Sequence, residues 1–478
     1  MSTVRLIPRI LVVAGLLASP IGAQETHPAH GRWVGAIPLP SGELPLILHL
    51  VQVDGAWTGS LDSPAQASIG NPVSQAEVGA DGAVRWALAS LGARWEGRLE
   101  DGALVGTFFQ GGAEIPLRLE RSDEAPRIPG TAQTRPQTPR APFPYASEDL
   151  RFPSLDGSFE LAGTLTIPEG PGPHPAAVLI TGSGPQDRNE SLAGHSPFLV
   201  LADHLSRAGI AVLRVDDRGV AESGGNFSTG TTADFADDTE AALQMLLGRP
   251  EVDTYRVGLI GHSEGGVIGP IVAARNDNVD FVVMLAGTGI SGEAVLLDQG
   301  ARIIGQAAGP EVALFNQQIQ AVMFSAVREG GTTAEQSARV TERVTTFLAE
   351  ADPAAVALLG IPNPPAAWIA QNVAAITAPW MSYFIAWDPA PTLASVEVPV
   401  LALFGSLDLQ VHPDANAPSV SQALSGNAGA TVEILPGLNH LFQEATTGNP
   451  SEYALIEQTM SPVALARIAD WINALGGG

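Results

Sequence analysis

The sequence predicts an α/β fold with a mostly parallel sheet and a helical cap insertion, preceded by a small antiparallel β-domain. Two observations predict it. From about residue 150 to the end, short apolar strands alternate with helical stretches, which is typical of a parallel sheet covered on both faces. Between residues 31 and about 121, short alternating runs are separated by Asp-Gly turns, which indicate an antiparallel sandwich or barrel.

The chain has 478 residues, which is enough for several structural units. We expect an antiparallel β-domain over 24–121 and an extended, proline-rich linker over 122–144. The main domain would comprise 145–287 and 395–478. Residues 288–394 would form the cap, because this stretch interrupts the strand-helix alternation and is far longer than a usual connection.

The N-terminus has the form of an export signal. Arg5 and Arg9 precede an apolar run from Ile10 to Ala18, and small residues follow it. We therefore expect residues 1–23 to be a secretory signal peptide and the mature protein to be periplasmic or extracellular. The apolar run is too short to span a bilayer as a stable anchor, and no later stretch reaches that length.

The composition excludes several kinds of chemistry. The chain has no cysteine, so disulfides, thiol catalysis and cysteine-ligated metals are excluded. All 24 basic residues are arginine, and the absence of lysine excludes Schiff-base mechanisms. A net charge of −26 makes the chain a poor binder of nucleic acid, which needs clustered positive charge. We expect no cofactor, and no spacing of histidines and carboxylates argues for a catalytic metal.

The most informative stretch is residues 261–265, Gly-His-Ser-Glu-Gly, which follows an apolar strand. The Gly-x-Ser-x-Gly spacing is typical of a nucleophile elbow, in which the serine lies on a tight strand-to-helix turn. Backbones crowd at such a turn, and Gly261 and Gly265 provide the room. The turn exposes the Ser263 hydroxyl and places the Glu264 amide at the start of a helix, where it can bind an oxyanion.

A serine nucleophile needs a general base, and the base needs an orienting carboxylate. Functional loops of parallel sheets lie at the carboxyl ends of strands, and two such loops carry Asp408 and His440. We therefore predict that Ser263 is the nucleophile, His440 the base and Asp408 the orienting carboxylate. Asp414 is the alternative to Asp408, although it lies further from the strand end.

The oxyanion hole needs a second backbone donor besides the Glu264 amide. The loop after the strand at 176–180 is rich in small residues, which let amide groups face a substrate. We assign the second donor to the Ser183 amide. Gly182 and Gly184 are the alternatives.

Five motifs carry a resemblance to a known family. They are Gly-Ser-Gly-Pro-Gln-Asp-Arg at 182–188, Asp-Asp-Arg-Gly-Val-Ala-Glu-Ser-Gly-Gly at 216–225, Gly-His-Ser-Glu-Gly-Gly at 261–266, Gly-Ser-Leu-Asp-Leu-Gln-Val at 405–411 and Leu-Asn-His at 438–440. From about 150 to 478 the chain resembles the α/β-hydrolase superfamily, and more narrowly bacterial serine carboxylesterases with an N-terminal β-domain. The resemblance implies cleavage of a small-molecule ester through an acyl-enzyme. Thr181 departs from the pattern, since many relatives have histidine there.

Other functions could use the same residues. An aminopeptidase or dipeptidyl peptidase would need a carboxylate for the substrate amino group, and Glu293, Asp298 and Glu311 of the predicted cap are candidates. A thioesterase is a weaker alternative, and dehalogenases use a carboxylate where Ser263 stands. The non-enzymatic alternative is an exported binding protein with a relic hydrolase fold. The natural substrate, the acyl-chain length and the oligomeric state stay open.

Overall fold

The structure is a computed structural model. It describes residues 27–39, 42–53, 55–63, 68–73, 75–79, 81–88, 93–110, 113–123 and 135–475. The predicted signal peptide, residues 1–23, lies outside the described residues, as does the stretch 124–134 of the predicted linker. None of the helices in the described part of the chain is long and apolar enough to cross a membrane.

The described strands between residues 31 and 122 form one antiparallel sheet. They are β1 (Gly31–Leu39), β2 (Gly42–Val53), β3 (Ala56–Ser63), β4 (Ser68–Pro72), β5 (Gln75–Val78), β6 (Ala83–Leu88), β7 (Ala93–Glu100), β8 (Ala103–Gln110) and β9 (Ala113–Ser122). The strand order is β4-β3-β2-β1-β9-β8-β7-β6-β5. Contacts between β3 and β5 bring the two ends together, so the sheet curls like a barrel. Trp33, Trp86 and Trp95 fill its core, and the predicted antiparallel β-domain is confirmed.

The second sheet begins with two antiparallel pairings and continues as parallel strands. Its strands are β10 (Tyr145–Pro153), β11 (Glu160–Pro168), β12 (His174–Ile180), β13 (Ala211–Val215), β14 (Val252–His262), β15 (Phe281–Leu285), β16 (Val400–Gly405) and β17 (Ala430–Leu435). Their order is β10-β11-β13-β12-β14-β15-β16-β17. From β13 to β17 all pairings are parallel, so the loops that follow these strands meet at one edge of the sheet.

Helices cover this sheet and form the cap. Those of the main domain are α1 (Pro197–Arg207), α2 (Thr232–Leu247), α3 (Gly265–Ala273), α11 (Pro413–Ala423) and α12 (Pro462–Ala474). Those between β15 and β16 are α4 (Gly292–Ala308), α5 (Pro310–Arg328), α6 (Thr333–Glu350), α7 (Pro353–Leu358), α8 (Ala366–Ile376), α9 (Pro379–Ala386) and α10 (Ala390–Ala394). The helices α4 to α9 share an apolar core of their own, centred on Ile319, Val340 and Ile385. Leu393 of α10 belongs instead to the core of the main domain.

The first two helices of the cap, α4 and α5, are separate. Gly309 lies between them with a φ of 90°, a left-handed conformation that favours glycine, and Pro310 begins the next helix. The helix α6 begins with a capping box, in which the Thr332 hydroxyl and the Glu335 side chain each bond the other's backbone amide. These local signals explain where the cap helices begin and end.

The C-terminal part of the predicted linker is attached to the main domain. The Arg135 guanidinium is buried and donates to backbone carbonyls of two loops, 193–194 and 454–456. The Gln137 side chain donates to a carbonyl and accepts two amides within residues 459–460. The attachment therefore consists of hydrogen bonds to the backbone of two loops, the one at 193–194 and the one that precedes α12.

Replacing Arg135 by alanine should destabilise the main domain. The Arg135→Ala variant leaves buried carbonyls without a donor, so we expect the free energy of unfolding to fall by about 2–4 kcal/mol. Urea denaturation followed by circular dichroism measures this. The control is Arg140→Ala, because Arg140 is an exposed arginine of the same segment. Equal denaturation midpoints for the two variants would show that the attachment does not stabilise the fold.

Candidate active site

Ser263 lies on a tight turn between β14 and α3. Its φ is 52°, in the left-handed region that serine adopts only when its surroundings enforce it. A Cβ atom on Gly261 would lie 1.9 Å from the Gly265 carbonyl oxygen, and one on Gly265 would lie 2.1 Å from the Ile180 carbonyl oxygen. The predicted reason for both glycines is confirmed, because no side chain fits at either position.

His440 and Asp408 form a buried pair on the loops that follow β17 and β16. The distance between His440 Nδ1 and Asp408 Oδ2 is 2.8 Å, and Asp408 is completely buried. The second carboxylate oxygen accepts the amides of residues 410–411 at 2.7 and 2.9 Å. These contacts fix the imidazole with Nε2 free to take a proton. The alternative carboxylate, Asp414, lies 3.5 Å from His412 instead.

The elbow and the loop of His440 are connected through His262. The Nε2 atom of His262, which directly precedes Ser263, lies 2.9 Å from the carbonyl oxygen of His440. The centroids of the two histidine rings are 4.7 Å apart. Ser263 is half-buried, and its hydroxyl has no hydrogen-bond partner among the described residues. The hydroxyl is therefore available to a base and a substrate.

The candidate oxyanion loop is the segment 181–190, which follows β12 and passes close to Ser263. A Cβ atom on Gly182 would lie 3.3 Å from the Ser263 Cβ atom. The Gly182 amide already donates to Glu190 Oε1 at 2.8 Å, so it is not available to a substrate. In the described part of the chain the amides of Ser183 and Glu264 donate to no protein acceptor. Both remain candidate oxyanion donors, and Gly184 remains the alternative to Ser183.

Thr181 supports this loop although it replaces the histidine of many relatives. Its hydroxyl donates to Asp217 Oδ1 at 2.7 Å, and Asp217 Oδ2 accepts the Gln186 amide at 2.9 Å. Burial raises the pKa of Asp217 to about 7, and these two hydrogen bonds counter the increase only in part. Thr181 therefore connects the start of the loop to a partly buried carboxyl group.

Asp187 and Arg188 brace the same loop. Asp187 accepts hydrogen bonds from the Ser191 amide and hydroxyl at 2.9 and 2.8 Å. Arg188 donates to Asp216 at 2.6 Å, and this ion pair helps to keep the pKa of Asp216 low against the effect of burial. The loop is thus held by side chains from its own turn and from the end of β13.

The carboxylates proposed for a substrate amino group are already engaged or lie on the surface. Glu293 lies 2.5 Å from Arg328, and Asp298 lies 2.8 Å from Arg302. Glu311 is exposed on α5.

Among the residues that the structure describes, no cluster of three or more histidine, aspartate or glutamate side chains could hold a metal ion.

A comparison with protein families matches residues 194–444 to the serine aminopeptidase S33 family. The match covers more than half of the chain. The chain belongs to this family of α/β hydrolases. The predicted resemblance and the predicted fold class are confirmed.

Curated relatives of this S33 hydrolase match over part of their length. Esterase EstD of Thermotoga maritima is 37% identical over 139 residues, which cover 29% of this chain and 33% of EstD. The uncharacterized protein YfhR of Escherichia coli K12 is 25% identical over 158 residues, which cover 33% of this chain and 52% of YfhR. The chain therefore spans between a third and about half of the length of these relatives.

Solved structures that match this chain include an esterase and a peptidase-related protein. The Pyrococcus furiosus esterase PF2001 is 14% identical with a TM-score of 0.43, and the match covers 73% of this chain and 96% of that chain. A proline iminopeptidase-related protein from Thermus thermophilus is 19% identical with a TM-score of 0.40, and the match covers 69% of this chain and 98% of that chain.

The cap of this S33 hydrolase contacts the residue that follows the nucleophile. Oxygen Oε1 of Glu264 accepts the Trp380 indole N–H from α9 at 2.6 Å and the Thr232 hydroxyl from α2 at 2.7 Å. Glu264 is almost completely buried, and this burial raises its pKa to about 7 despite the two hydrogen bonds. The Trp380 ring stacks on Phe384 at 5.6 Å between centroids, which fixes the indole over the main domain.

A narrow cavity lies behind the oxyanion loop, between β12 and α2. Its volume is about 40 Å³, and Asp217 and Glu264 are among its lining residues. This volume is close to that of one water molecule, so the cavity is too small for an acyl chain.

The stability of this S33 hydrolase should decrease as Glu264 ionises. The folded-state pKa of Glu264 is raised above its unfolded value. The contribution of Glu264 to the free energy of unfolding is therefore greatest at acidic pH and is lost as the pH rises towards 7. Glu264→Gln keeps both hydrogen bonds and has no charge to bury. It should therefore stabilise the fold by about 2–3 kcal/mol more at pH 8 than at pH 5.

Urea denaturation of wild type and variant at both pH values measures this difference. Glu397→Gln is the matched control, because Glu397 is exposed and lies away from the elbow. If Glu264→Gln changed stability equally at pH 5 and pH 8, the buried carboxyl would not be the cause.

Proposed function

We propose that this protein is a serine carboxylesterase that acts through an acyl-enzyme intermediate. The observation that carries the proposal is the buried contact of 2.8 Å between His440 Nδ1 and Asp408 Oδ2, connected to the elbow of Ser263 through His262. An oriented imidazole on a loop that contacts the elbow can activate the half-buried elbow serine as a nucleophile. The likeness to esterase EstD also supports ester cleavage.

In the first half of the reaction, His440 Nε2 takes the proton of the Ser263 hydroxyl while Oγ attacks the ester carbonyl carbon. The carbonyl π electrons move to oxygen, and the amides of Ser183 and Glu264 stabilise this oxyanion. The tetrahedral intermediate collapses, the bond to the alcohol oxygen breaks, and His440 gives its proton to the leaving alcohol. The acyl group is then bonded to Ser263.

The second half repeats these steps with water. His440 takes a proton from a water molecule, whose oxygen attacks the acyl carbon. The second tetrahedral intermediate releases the carboxylic acid, and His440 returns the proton to Ser263. Asp408 keeps the imidazole in the productive tautomer throughout and stabilises its charged form.

An aminopeptidase is the second candidate, favoured by the name of the matched family. That reaction needs a carboxylate free to bind a substrate ammonium group. Glu293 and Asp298 are already paired with arginines, which favours the ester reaction.

Ser263→Ala should abolish most of the ester hydrolysis. The loss should be about 10³-fold or more in kcat, since catalytic serines contribute on this scale. The assay is hydrolysis of p-nitrophenyl esters. A fluorophosphonate probe should label the wild type and not the variant, with Ser395→Ala, a change at an exposed serine, as the control. A wild type that neither cleaves esters nor reacts with the probe would instead support a binding protein with a relic fold.

The choice between ester and amide should appear in a direct comparison of substrates. We expect a higher kcat/KM for p-nitrophenyl esters than for aminoacyl p-nitroanilides, because Glu293 and Asp298 are engaged with arginines and do not offer a free carboxylate to the ammonium group of the latter. A series of esters with increasing acyl length then measures the substrate room under the cap. A higher kcat/KM for aminoacyl anilides would establish the aminopeptidase in its place.

A further inference from the structure

Glu190 is a buried carboxylate at the site that the mechanism above does not use. It lies in the loop after β12, and its φ of 53° is in the left-handed region, which is strained for a glutamate. The residue is 3% exposed. Its Oε1 atom accepts the Gly182 amide at 2.8 Å and lies 2.8 Å from His262 Nδ1. One carboxylate oxygen therefore links the oxyanion loop to the residue before the nucleophile.

His262 extends this link to the loop of the proposed base. Its second ring nitrogen, Nε2, lies 2.9 Å from the carbonyl oxygen of His440. A carbonyl and a carboxylate are acceptors only, so each contact needs a hydrogen on the ring nitrogen. An imidazole that donates from both nitrogens carries two protons and a positive charge. The geometry therefore points to an imidazolium, paired with the Glu190 carboxylate.

The electrostatic surroundings agree with this geometry. Burial disfavours the charged ring, but the charge of Glu190 and the hydrogen bonds to Glu190 and to the His440 carbonyl outweigh burial and raise the pKa of His262. Asp408 acts in the same direction. Within the described residues, the titratable groups that face this ring are Glu190, Asp408 and the His440 ring.

We propose that Glu190 and His262 form a carboxylate–imidazolium pair that positions the oxyanion loop and the His440 loop against Ser263. This rests on the proposed function, because it concerns the geometry of that reaction. Both are positioning residues that act through other groups. Glu190 fixes the amide next to the Ser183 donor, and His262 fixes the backbone of the base.

The positive charge is what allows one ring to hold both loops. A neutral imidazole has a single N–H, so it can donate either to Glu190 or to the His440 carbonyl and loses the other contact. The carboxylate of Glu190 stabilises the second proton, and bonds that involve charged partners are stronger than neutral ones. Removing the charge of Glu190 should therefore disconnect the loops even when the shape of the side chain is kept.

The protonation state of His262 can be measured without a substrate. NMR spectra of the full chain labelled with ¹⁵N-histidine should show, at pH 8, one ring with both nitrogens protonated. His262→Gln should remove that signal. A spectrum in which no ring is doubly protonated at pH 8 would overturn the pair, whether or not the protein is active.

The effect on the reaction is tested with Glu190→Gln, which keeps an acceptor oxygen and removes the charge. At pH 8 we expect kcat/KM for an ester to fall about 10- to 100-fold through kcat, because small displacements of catalytic groups cost this much. The ratio of variant to wild-type kcat/KM should rise as the pH is lowered to 6, because the solution then supplies the second proton to His262.

Glu397→Gln is the matched control and should keep the wild-type rate at each pH. A Glu190→Gln variant with wild-type activity, or with a loss that is the same at pH 6 and pH 8, would contradict the proposal. A wild type without ester hydrolysis would contradict the proposed function instead, and the NMR spectrum would still decide the pair. If Glu190→Gln does not fold, the NMR spectrum of the wild type still tests the pair.

Discussion

The candidate site depends on an approach of backbones so close that no side-chain atom fits between them. A Cβ atom added to Gly261 or Gly265 would lie only 1.9 or 2.1 Å from a backbone carbonyl oxygen. This crowding holds Ser263 in its left-handed conformation, directly before Glu264, which caps the N-terminus of α3. Because Ile180 ends β12, the same contact also sets where the oxyanion loop begins. The conformation of Ser263 and the start of the candidate oxyanion loop thus share one steric cause.

Buried carboxylates surround this elbow, and they differ in how their charge is compensated. Asp408 and Glu190 each contact a histidine ring, and such pairing offsets the loss of hydration. Glu264 and Asp217 accept hydrogen bonds from uncharged donors, and desolvation raises the pKa of each to about 7. The elbow, the cap and the oxyanion loop are therefore held together partly by groups that cost stability when they ionise.

The sequence predicted the features that follow from local patterns. The elbow, Asp408 and His440 could be found because parallel strands bring their carboxyl ends to one edge. The strand β10 is not evident from the sequence because six of its nine residues are exposed. The helices α8 to α10 are not evident because prolines and aromatics there resemble an irregular segment. The roles of Glu190 and Trp380 could not be predicted, since their partners lie 72 and 116 residues away in the chain.

Glu264 connects the cap to the candidate oxyanion site, because its carboxyl group contacts the cap and its backbone amide lies at the elbow. Its amide is a candidate oxyanion donor, and its carboxyl group accepts the indole N–H of Trp380. A movement of α9 would pull on the side chain of a residue whose backbone amide is a candidate oxyanion donor. Because an oxyanion donor acts through its distance to the developing charge, such a movement changes kcat as well as binding.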